Sequence, residues 1–446
     1  MSGIAEVFLN QGYQISGSDL AESEITKHLK ELGARVYIGH APENVNKANV
    51  VVISSAVRST NPEVIEAKKQ RIPVIPRAEM LAELMRGKTG IAIAGTHGKT
   101  TTTSMLATVL VSAGLDPTIV IGGKVDSLGG NAKLGSGQLV VAEADESDGS
   151  FLQLPVMLGV VTNIDNDHLD HYGNISSIEE AFVSFIGKLP FYGLAAVCAE
   201  DPGVRRCLSK ITKPISTYGL SSEWDYYAQD VVLKGLGSEF RVCKQGSHEL
   251  GKVVLQVPGT HNVLNSLATI AICMKLGLSF KTIVKGLLQF KGVKRRFEVR
   301  WKDESRNICV VDDYGHHPTE IAVTLSAARN YWPGRIVTVF QPHRYSRTLH
   351  CRHGFLAAFL KTDVLLITDI YAAGEDAIDG VSAEMLSKEL KSMSGTKQEI
   401  DHVGDIEEAK KAVLARYRPG DLILCLGAGS ITKLPDQLIE AFESKE

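Results

Sequence analysis

Apolar runs of strand length alternate with segments of helical spacing along most of this chain. Residues 1–12 place Ile4, Val7 and Phe8 on one helical face, and Gly12 supplies the stop. Residues 13–19 then read as a short strand ending in the acid Asp19. Helices over 24–32, 62–70 and 78–85 and strands over 34–38, 49–54 and 72–75 continue the alternation, which implies a parallel sheet. Ser54 and Ser55 follow a strand end, where open α/β sheets bind ligands, although a plain strand-to-loop turn has the same pattern. A dinucleotide-type unit runs strand, glycine turn, helix, strand, acid; this chain supplies the helix, strand and acid and begins inside the motif.

A second pattern opens after a boundary at 87–90. The apolar run 90–94 ends in Gly95, and Thr96, His97, Gly98, Lys99 and Thr100 follow at once. This reads as strand, tight turn and helix N-terminus. Backbone N–H groups would face an anion, Lys99 would reach the β- and γ-phosphates of a nucleotide, and the Thr100 hydroxyl would sit on Mg2+. A standard G-x-x-x-x-G-K-[ST] loop needs glycine at 93, where Ile93 stands, so this loop is shorter. The threonines at 100–103 are poor helix formers, yet Met105, Leu106, Val109 and Leu110 keep helical spacing up to Gly114. Something other than propensity fixes the start of this helix.

The run 139–142 leads into Glu143, Asp145, Glu146 and Asp148, which is either where a nucleotide-binding domain holds Mg2+ or a solvated acidic loop. Neighbouring strand residues point to opposite faces, so only part of this cluster can serve one metal. A strand over 158–161 runs into a loop with His168 and His171, which are metal ligands or structural histidines. A further strand covers 195–198, short strand-like runs with glycine turns fill 214–258, and a helix running to Lys275 opens with Asn262 and Asn265 on one face. The basic triplet 294–296 marks a second boundary. Beyond it, strands over 308–311, 335–340, 363–367 and 422–426 and a helix over 319–329 form another α/β domain. Its polar loops 312–318 and 341–347 each follow a strand, so both belong at the carboxyl edge of one sheet. Arg344 and Arg347 suit a carboxylate or phosphate, which arginine binds in bidentate fashion.

Composition narrows the classes. A chain of 446 residues with 44% hydrophobic positions has room for about two to four soluble domains. The net charge of −3 provides no basic field for nucleic acid or a membrane surface, so an anionic ligand must be held locally. Seven scattered cysteines without a C-x-x-C pair read as reduced core thiols of a cytoplasmic protein. No apolar run approaches ~18 residues and no basic n-region precedes an apolar h-region, so neither a transmembrane helix nor a signal peptide is expected.

Seven motifs, in order and spacing, resemble those of the Mur ligases: Gly95-Thr-His-Gly-Lys-Thr-Thr101, Glu143-Ala-Asp-Glu-Ser-Asp148, Thr162-Asn-Ile-Asp-Asn-Asp-His168, His261-Asn-Val-Leu-Asn265, Arg295-Arg-Phe297, Asp312-Asp-Tyr-Gly-His-His-Pro318 and Gln341-Pro-His-Arg344. The resemblance covers essentially the whole chain. It implies a three-domain α/β fold: a Rossmann-like UDP-sugar-binding domain over 1–86, incomplete at its start; a central P-loop-type ATP-binding domain over 87–294; and a Rossmann-like domain for amino acid and nucleotide over 295–446. It further implies ATP-dependent amide synthesis in cytoplasmic peptidoglycan precursor assembly, with ATP and Mg2+ required. The carboxylate of UDP-N-acetylmuramate takes the γ-phosphate, and the amine of L-alanine attacks the acyl phosphate.

By the same resemblance, Lys99, Glu143, His168 and Arg344 carry the catalysis. Gly95, Thr96, His97, Gly98, Lys99, Thr100, Thr101, Asn265, Arg296, Asp313 and Tyr314 contact ATP. Thr100 and Glu143 hold one Mg2+ and His168 helps to hold a second; His316, Arg344 and Arg347 hold the alanine carboxylate. Ser2, Asp19, Ser54 and Ser55 are the candidates for the UDP-sugar. These groups come from different domains, so the site is expected to assemble by domain closure. A monomer or weak homodimer is expected, with no nucleic-acid or membrane partner. Two rivals remain: a family member that adds murein tripeptide to the same sugar, and a non-catalytic relic that only binds UDP-sugar or ATP. Asp145-Glu-Ser-Asp-Gly149 favours the alanine-adding member, and the complete catalytic set argues against a relic.

The family's first strand and its glycine turn precede the point where this chain begins, leaving at most Ser2-Gly3 of the turn. A UDP pyrophosphate is then expected to lack backbone donors. Adding the roughly 20–30 residues of such a strand and turn should lower KM for the UDP-sugar; equal KM values with and without them would refute this expectation.

Overall fold

The computed structural model describes residues 1–54, 56–125, 130–246, 249–393 and 398–444. The chain divides into two compact units, Met1–Asp230 with Phe240–Val254 and Val263–Lys291, and Val231–Glu239 with Leu255–Asn262 and Gly292–Glu446.

In the first unit the central strand, Thr89–Ala94, lies between Leu139–Glu143 and Leu158–Val161, both parallel to it. Residues 90–94 are buried throughout, as a strand covered on both faces requires. Ile93 stands opposite Glu143 and Ala94 opposite Val161, so three strands end together at one edge. Thr118–Val125 and Gly130–Lys133 extend the sheet on one side, and Leu194–Cys198 and Ile215–Gly219 on the other.

The helix Lys99–Ser112 is buried from Thr102 to Leu110, which answers what fixes its start. Its hydroxyls turn back on its own carbonyls: Thr103 donates to Lys99 O at 2.9 Å, Ser104 to Thr100 O at 2.6 Å and Thr108 to Ser104 O at 2.8 Å. Hydroxyls satisfied in this way tolerate a dry setting, and burial outweighs weak propensity. The helix Phe280–Gln289 packs so close that a Cβ on Gly286 would stand 2.7 Å from the Cα of Val109.

The helix Ser2–Asn10 buries Ile4 and Val7 in the same core as Leu81, Leu84, Met85, Val120 and Ala132. The strand read over 13–19 is shorter, Ser16–Asp19. Tyr13 instead closes the helix, with its N–H on Phe8 O and its ring edge-on to Phe8 at 5.3 Å. Ser16–Asp19 pairs in parallel with Arg35–Ile38, and Val51–Ile53 with Val74–Pro76. These are two separate two-stranded ladders, and no described strand joins them.

The second unit holds a six-stranded sheet in the order Glu298–Asp303, Ile308–Asp313, Leu422–Leu426, Ile336–Phe340, Val364–Thr368, Glu399–Gly404, all parallel except the first. Alternate residues feed its two faces: Cys309, Val311, Leu424 and Leu426 one core, Ile308, Val310, Ile423 and Cys425 the other. All seven cysteines are free thiols, six of them buried. Among the described residues no helix is long and apolar enough to cross a membrane.

Gly90 shows how tightly the central strand is held. A Cβ there would overlap the Met85 side chain and approach the Pro155 carbonyl oxygen to 2.5 Å. Gly90→Ala should lower stability by about 1–3 kcal/mol in denaturant unfolding; a wild-type midpoint would contradict this packing.

Candidate functional site

The turn after the central strand is built from glycine conformations and clamps. Gly95 has φ +130°, and a Cβ there would overlap Thr162 Oγ1 and stand 2.9 Å from Thr162 N. Gly98, at φ +80°, is the N-cap of the helix that begins at Lys99, and a Cβ on it would lie 3.0 Å from Asn265 Oδ1. Asn265 therefore sits directly over the turn. The stretch 162–165 grips the loop: Asn163 Oδ1 accepts from His97 N at 2.8 Å, while Thr162 Oγ1 and Asn163 Nδ2 donate to His97 O at 2.6 and 3.0 Å. Asp165 N donates to Thr96 Oγ1 at 2.9 Å, and Asp165 Oδ2 lies 3.1 Å from His97 Nε2. The His97 side chain, expected at ATP, here braces the loop. Thr100 and Thr101 are half-buried in the first helical turn.

Lys99 folds back instead of projecting. Its three ammonium hydrogens are matched by three acceptors, Gly95 O at 2.6 Å, Thr96 O at 3.0 Å and Glu146 Oε1 at 2.8 Å. Burial disfavours the ammonium, but the Glu146 carboxylate outweighs it and holds the Lys99 pKa above its ordinary value. Burial pushes the Glu146 carboxyl up against the pull of Lys99; with all three donors engaged, the pair stands as an ion pair. Glu146 also lies 3.7 Å from His168 Nε2. His168 itself takes φ +57° as it turns the chain into the short helix Leu169–Tyr172. Glu143 ends its strand facing Gly122, where a Cβ would stand 2.7 Å from Glu143 Oε2. Sequence reasoning placed Glu146 in the acidic cluster without a role. A lysine held largely out of water demands a counter-charge, but the spacing of the cluster does not say which acid supplies it.

The UDP-sugar candidates are spread over the first 86 residues. Asp19 is exposed and accepts from Leu20 N at 2.7 Å, Ser54 is half-buried, Ser2 opens the first helix, and Ser55 lies outside the described residues. A connected cluster that the sequence did not single out stands beside Asp19. Ser18 Oγ donates to Glu63 Oε2 at 2.7 Å and meets His40 Nδ1 at 2.9 Å, and Asn44 Nδ2 donates to Glu63 Oε1 at 2.7 Å.

In the second unit the polar loops do meet at one sheet edge, with Asp313 and Phe340 both opposite Leu426. Asp313 is buried and spends its carboxylate on Gly315 N and Phe297 N, both at 2.7 Å. Tyr314 carries the guanidiniums of Arg295 and Arg296 at 5.0 Å from its ring, a planar platform suited to a base. His316 rests Nδ1 on Tyr314 O at 3.1 Å, and its N–H donates to Glu320 Oε2 at 3.1 Å. His317 and Glu320 form the capping box that starts the helix Pro318–Tyr331.

His343, within a recognised motif but given no role, is central to this cluster. It lies between the rings of His316 and Tyr371 at 5.5 and 5.6 Å, with Arg347 Nη1 3.4 Å from its Nδ1. Burial, then the charges of His316, Arg347 and Arg344, lower its pKa to about 4, so it is neutral near pH 7. Arg344, at φ +66°, has Nε 3.9 Å from Glu375, whose carboxylate accepts from Ser346 N and Oγ at 3.0 and 2.6 Å. Two guanidiniums beside a neutral imidazole have the chemistry to accept a carboxylate.

A glycine-turn loop with a buried lysine, followed by a second α/β unit bearing an arginine pair, defines a phosphate-handling enzyme. The chain belongs to the Mur ligase family. It matches the models described as the Mur ligase family catalytic domain over residues 1–89, the Mur ligase middle domain over 93–273 and the Mur ligase glutamate ligase domain over 295–429. It is 53% identical over 440 residues to a UDP-N-acetylmuramate–L-alanine ligase of Geotalea daltonii, covering 99% of this chain and 95% of that one. The crystal structure of a UDP-N-acetylmuramate-alanine ligase from Thermotoga maritima superposes with a TM-score of 0.85 at 31% identity, covering 100% of this chain and 97% of that one. A murein peptide ligase from Psychrobacter arcticus shares the fold, with a TM-score of 0.73 at 23% identity over 99% of this chain and 96% of that one.

The folded pKa of His343, about 4, lies below the ordinary imidazole value of 6.5. Its contribution to stability is therefore complete above about pH 6.5 and is lost as pH falls toward 4, on the order of 2 kcal/mol. Buried His261, also lowered to about 4, acts in the same direction, so subtraction is needed. His343→Gln should flatten the stability profile between pH 6.5 and about 4 relative to wild type; parallel profiles in denaturant unfolding would exclude a neutral native His343.

Proposed function

We infer that this protein joins L-alanine to the carboxylate of UDP-N-acetylmuramate at the expense of ATP, a step in peptidoglycan precursor synthesis. One observation carries the reading: 53% identity over 99% of the chain to a UDP-N-acetylmuramate–L-alanine ligase. The reaction needs charge neutralisation and alignment more than covalent help. A substrate carboxylate oxygen bonds to the γ-phosphorus as the bond to ADP breaks. The alanine nitrogen then bonds to the acyl carbon, and inorganic phosphate leaves.

In this reading the backbone N–H groups of 96–100 cradle the phosphates, and Lys99, released from its internal acceptors, steadies the γ-phosphate. Asn265 lies over Gly98 to meet the nucleotide, while Arg296, Asp313 and Tyr314 form its second-unit contacts. Arg344 and Arg347 hold the alanine carboxylate, with His316 beside them. Asp19, Ser2, Ser54 and Ser55 are assigned to the UDP-sugar. Thr100 and Glu143 suit one hard divalent cation and His168 a second; Glu146 Oε1 lies 3.7 Å from His168 Nε2, and the buried Glu146 Oε2 has no hydrogen-bond partner. Mg2+ held there would neutralise the charge that builds on the transferring phosphoryl group. We place the enzyme in the cytoplasm, acting as a monomer or weak homodimer.

A tripeptide-adding ligase shares the fold but differs in the incoming amine. Phosphate release should require UDP-N-acetylmuramate, ATP, Mg2+ and L-alanine together, with glycine and L-serine as weaker alternatives; release with murein tripeptide alone would reject the reading. Lys99→Met should lower kcat by roughly 100- to 1,000-fold. Arg344→Ala should act chiefly on KM for the amino acid.

A further inference from the structure

Glu146 is more completely enclosed than any other acid of its cluster, with 2% of its surface exposed. One oxygen, Oε1, holds Lys99 at 2.8 Å and lies 3.7 Å from His168 Nε2. The other, Oε2, is buried and has no hydrogen-bond partner. The residue is fixed from behind, since Tyr172 Oη and Gly149 N donate to its carbonyl oxygen at 2.6 and 3.0 Å. Its backbone is thereby pinned and does not travel with Lys99 if the lysine moves. Lys99 in turn cannot take a phosphate without giving up one of its three acceptors, because it has three donors and all are engaged.

We propose that Glu146 is the internal counter-anion of Lys99 in the nucleotide-free protein and, once a triphosphate draws Lys99 away, becomes with His168 a ligand for the divalent cation that accompanies the nucleotide. The charges require such an exchange. A buried carboxylate stripped of its ammonium is left with an uncompensated charge, one bare oxygen and an imidazole nitrogen close by. A divalent cation satisfies all three conditions, and His168 and an oxygen donor suit it. Glu146 thus couples the two ligands. It opposes nucleotide that arrives without metal, by competing for Lys99, and favours nucleotide that arrives with it. Coupling between two ligands is reciprocal, so metal affinity must rise in the presence of nucleotide by the same factor.

This inference rests on the ATP-binding reading of the loop, and the test separates the two. Calorimetric titration of ATP into the full chain, with EDTA or with Mg2+, gives the factor by which metal tightens nucleotide. In Glu146→Gln that factor should shrink about tenfold or more, with metal-free ATP binding tighter and Mg2+-supported binding weaker than in wild type. A structural role alone would weaken both arms equally and leave the factor unchanged, which would overturn the proposal. Absence of ATP binding by the wild type in both arms would instead refute the nucleotide reading itself. A second variant guards against misfolding of the first. In Lys99→Gln the carboxylate is free before any nucleotide arrives, so Mn2+ alone, followed by its paramagnetic resonance signal, should bind about tenfold or more tighter than to wild type; equal Mn2+ affinity would likewise overturn the proposal.

Discussion

A charged lysine has to be held largely out of water in the first unit, and the local architecture follows from that demand. Removing an ammonium from solvent costs several kcal/mol, on the order of the net stability of a domain. Three acceptors, one of them a buried carboxylate, offset it here. Two of those acceptors are loop carbonyls that reach the lysine only because Gly95 adopts φ +130° against Thr162. The 162–165 stretch then prevents the loop from relaxing, by hydrogen bonds to the N–H and the carbonyl of His97 and to the Thr96 hydroxyl. The loop is thus preformed, and its ordering entropy is spent at folding instead of at binding.

The second unit solves a related problem in the opposite way. Arg344 and Arg347 remain partly open to solvent; Glu375 stands 3.9 Å from Arg344 Nε and is held by Ser346. The neighbouring His343 is kept neutral by burial and by its cationic neighbours, so the local field stays positive without a third full charge. One unit stores its cation against an internal anion, and the other leaves its two guanidiniums partly open to solvent.

Much of this was legible in the sequence, because strand-end chemistry follows hydrophobic period. The run 90–94 with Gly95 and Lys99 located the loop, and the strands before Asp312 and Gln341 located the second cluster. What stayed hidden depended on distance in space. Nothing in the spacing of 143–148 distinguishes Glu146 from Asp145; only the pairing of Thr89–Ala94 with Leu139–Glu143 brings Glu146 to Lys99. The Ser18–His40–Glu63–Asn44 cluster draws on three separate segments and leaves no local signature. The strand after residue 12 starts later than its pattern suggests, because the ring and N–H of Tyr13 complete the preceding helix.

The threonines at 100–103 are one letter repeated, yet the helix divides them by direction. Thr102 and Thr103 face a dry interior, while Thr100 and Thr101 keep partial access to solvent at the positive end of the helix. Variation at the run is therefore governed by two different selections one residue apart. At 102 and 103 volume decides, and serine or alanine would be judged by the void it leaves. At 100, in the proposed role on Mg2+, a single oxygen atom decides, and valine, the nearest shape, would be judged by its absence. A substitution table averaged over the four positions would describe none of them.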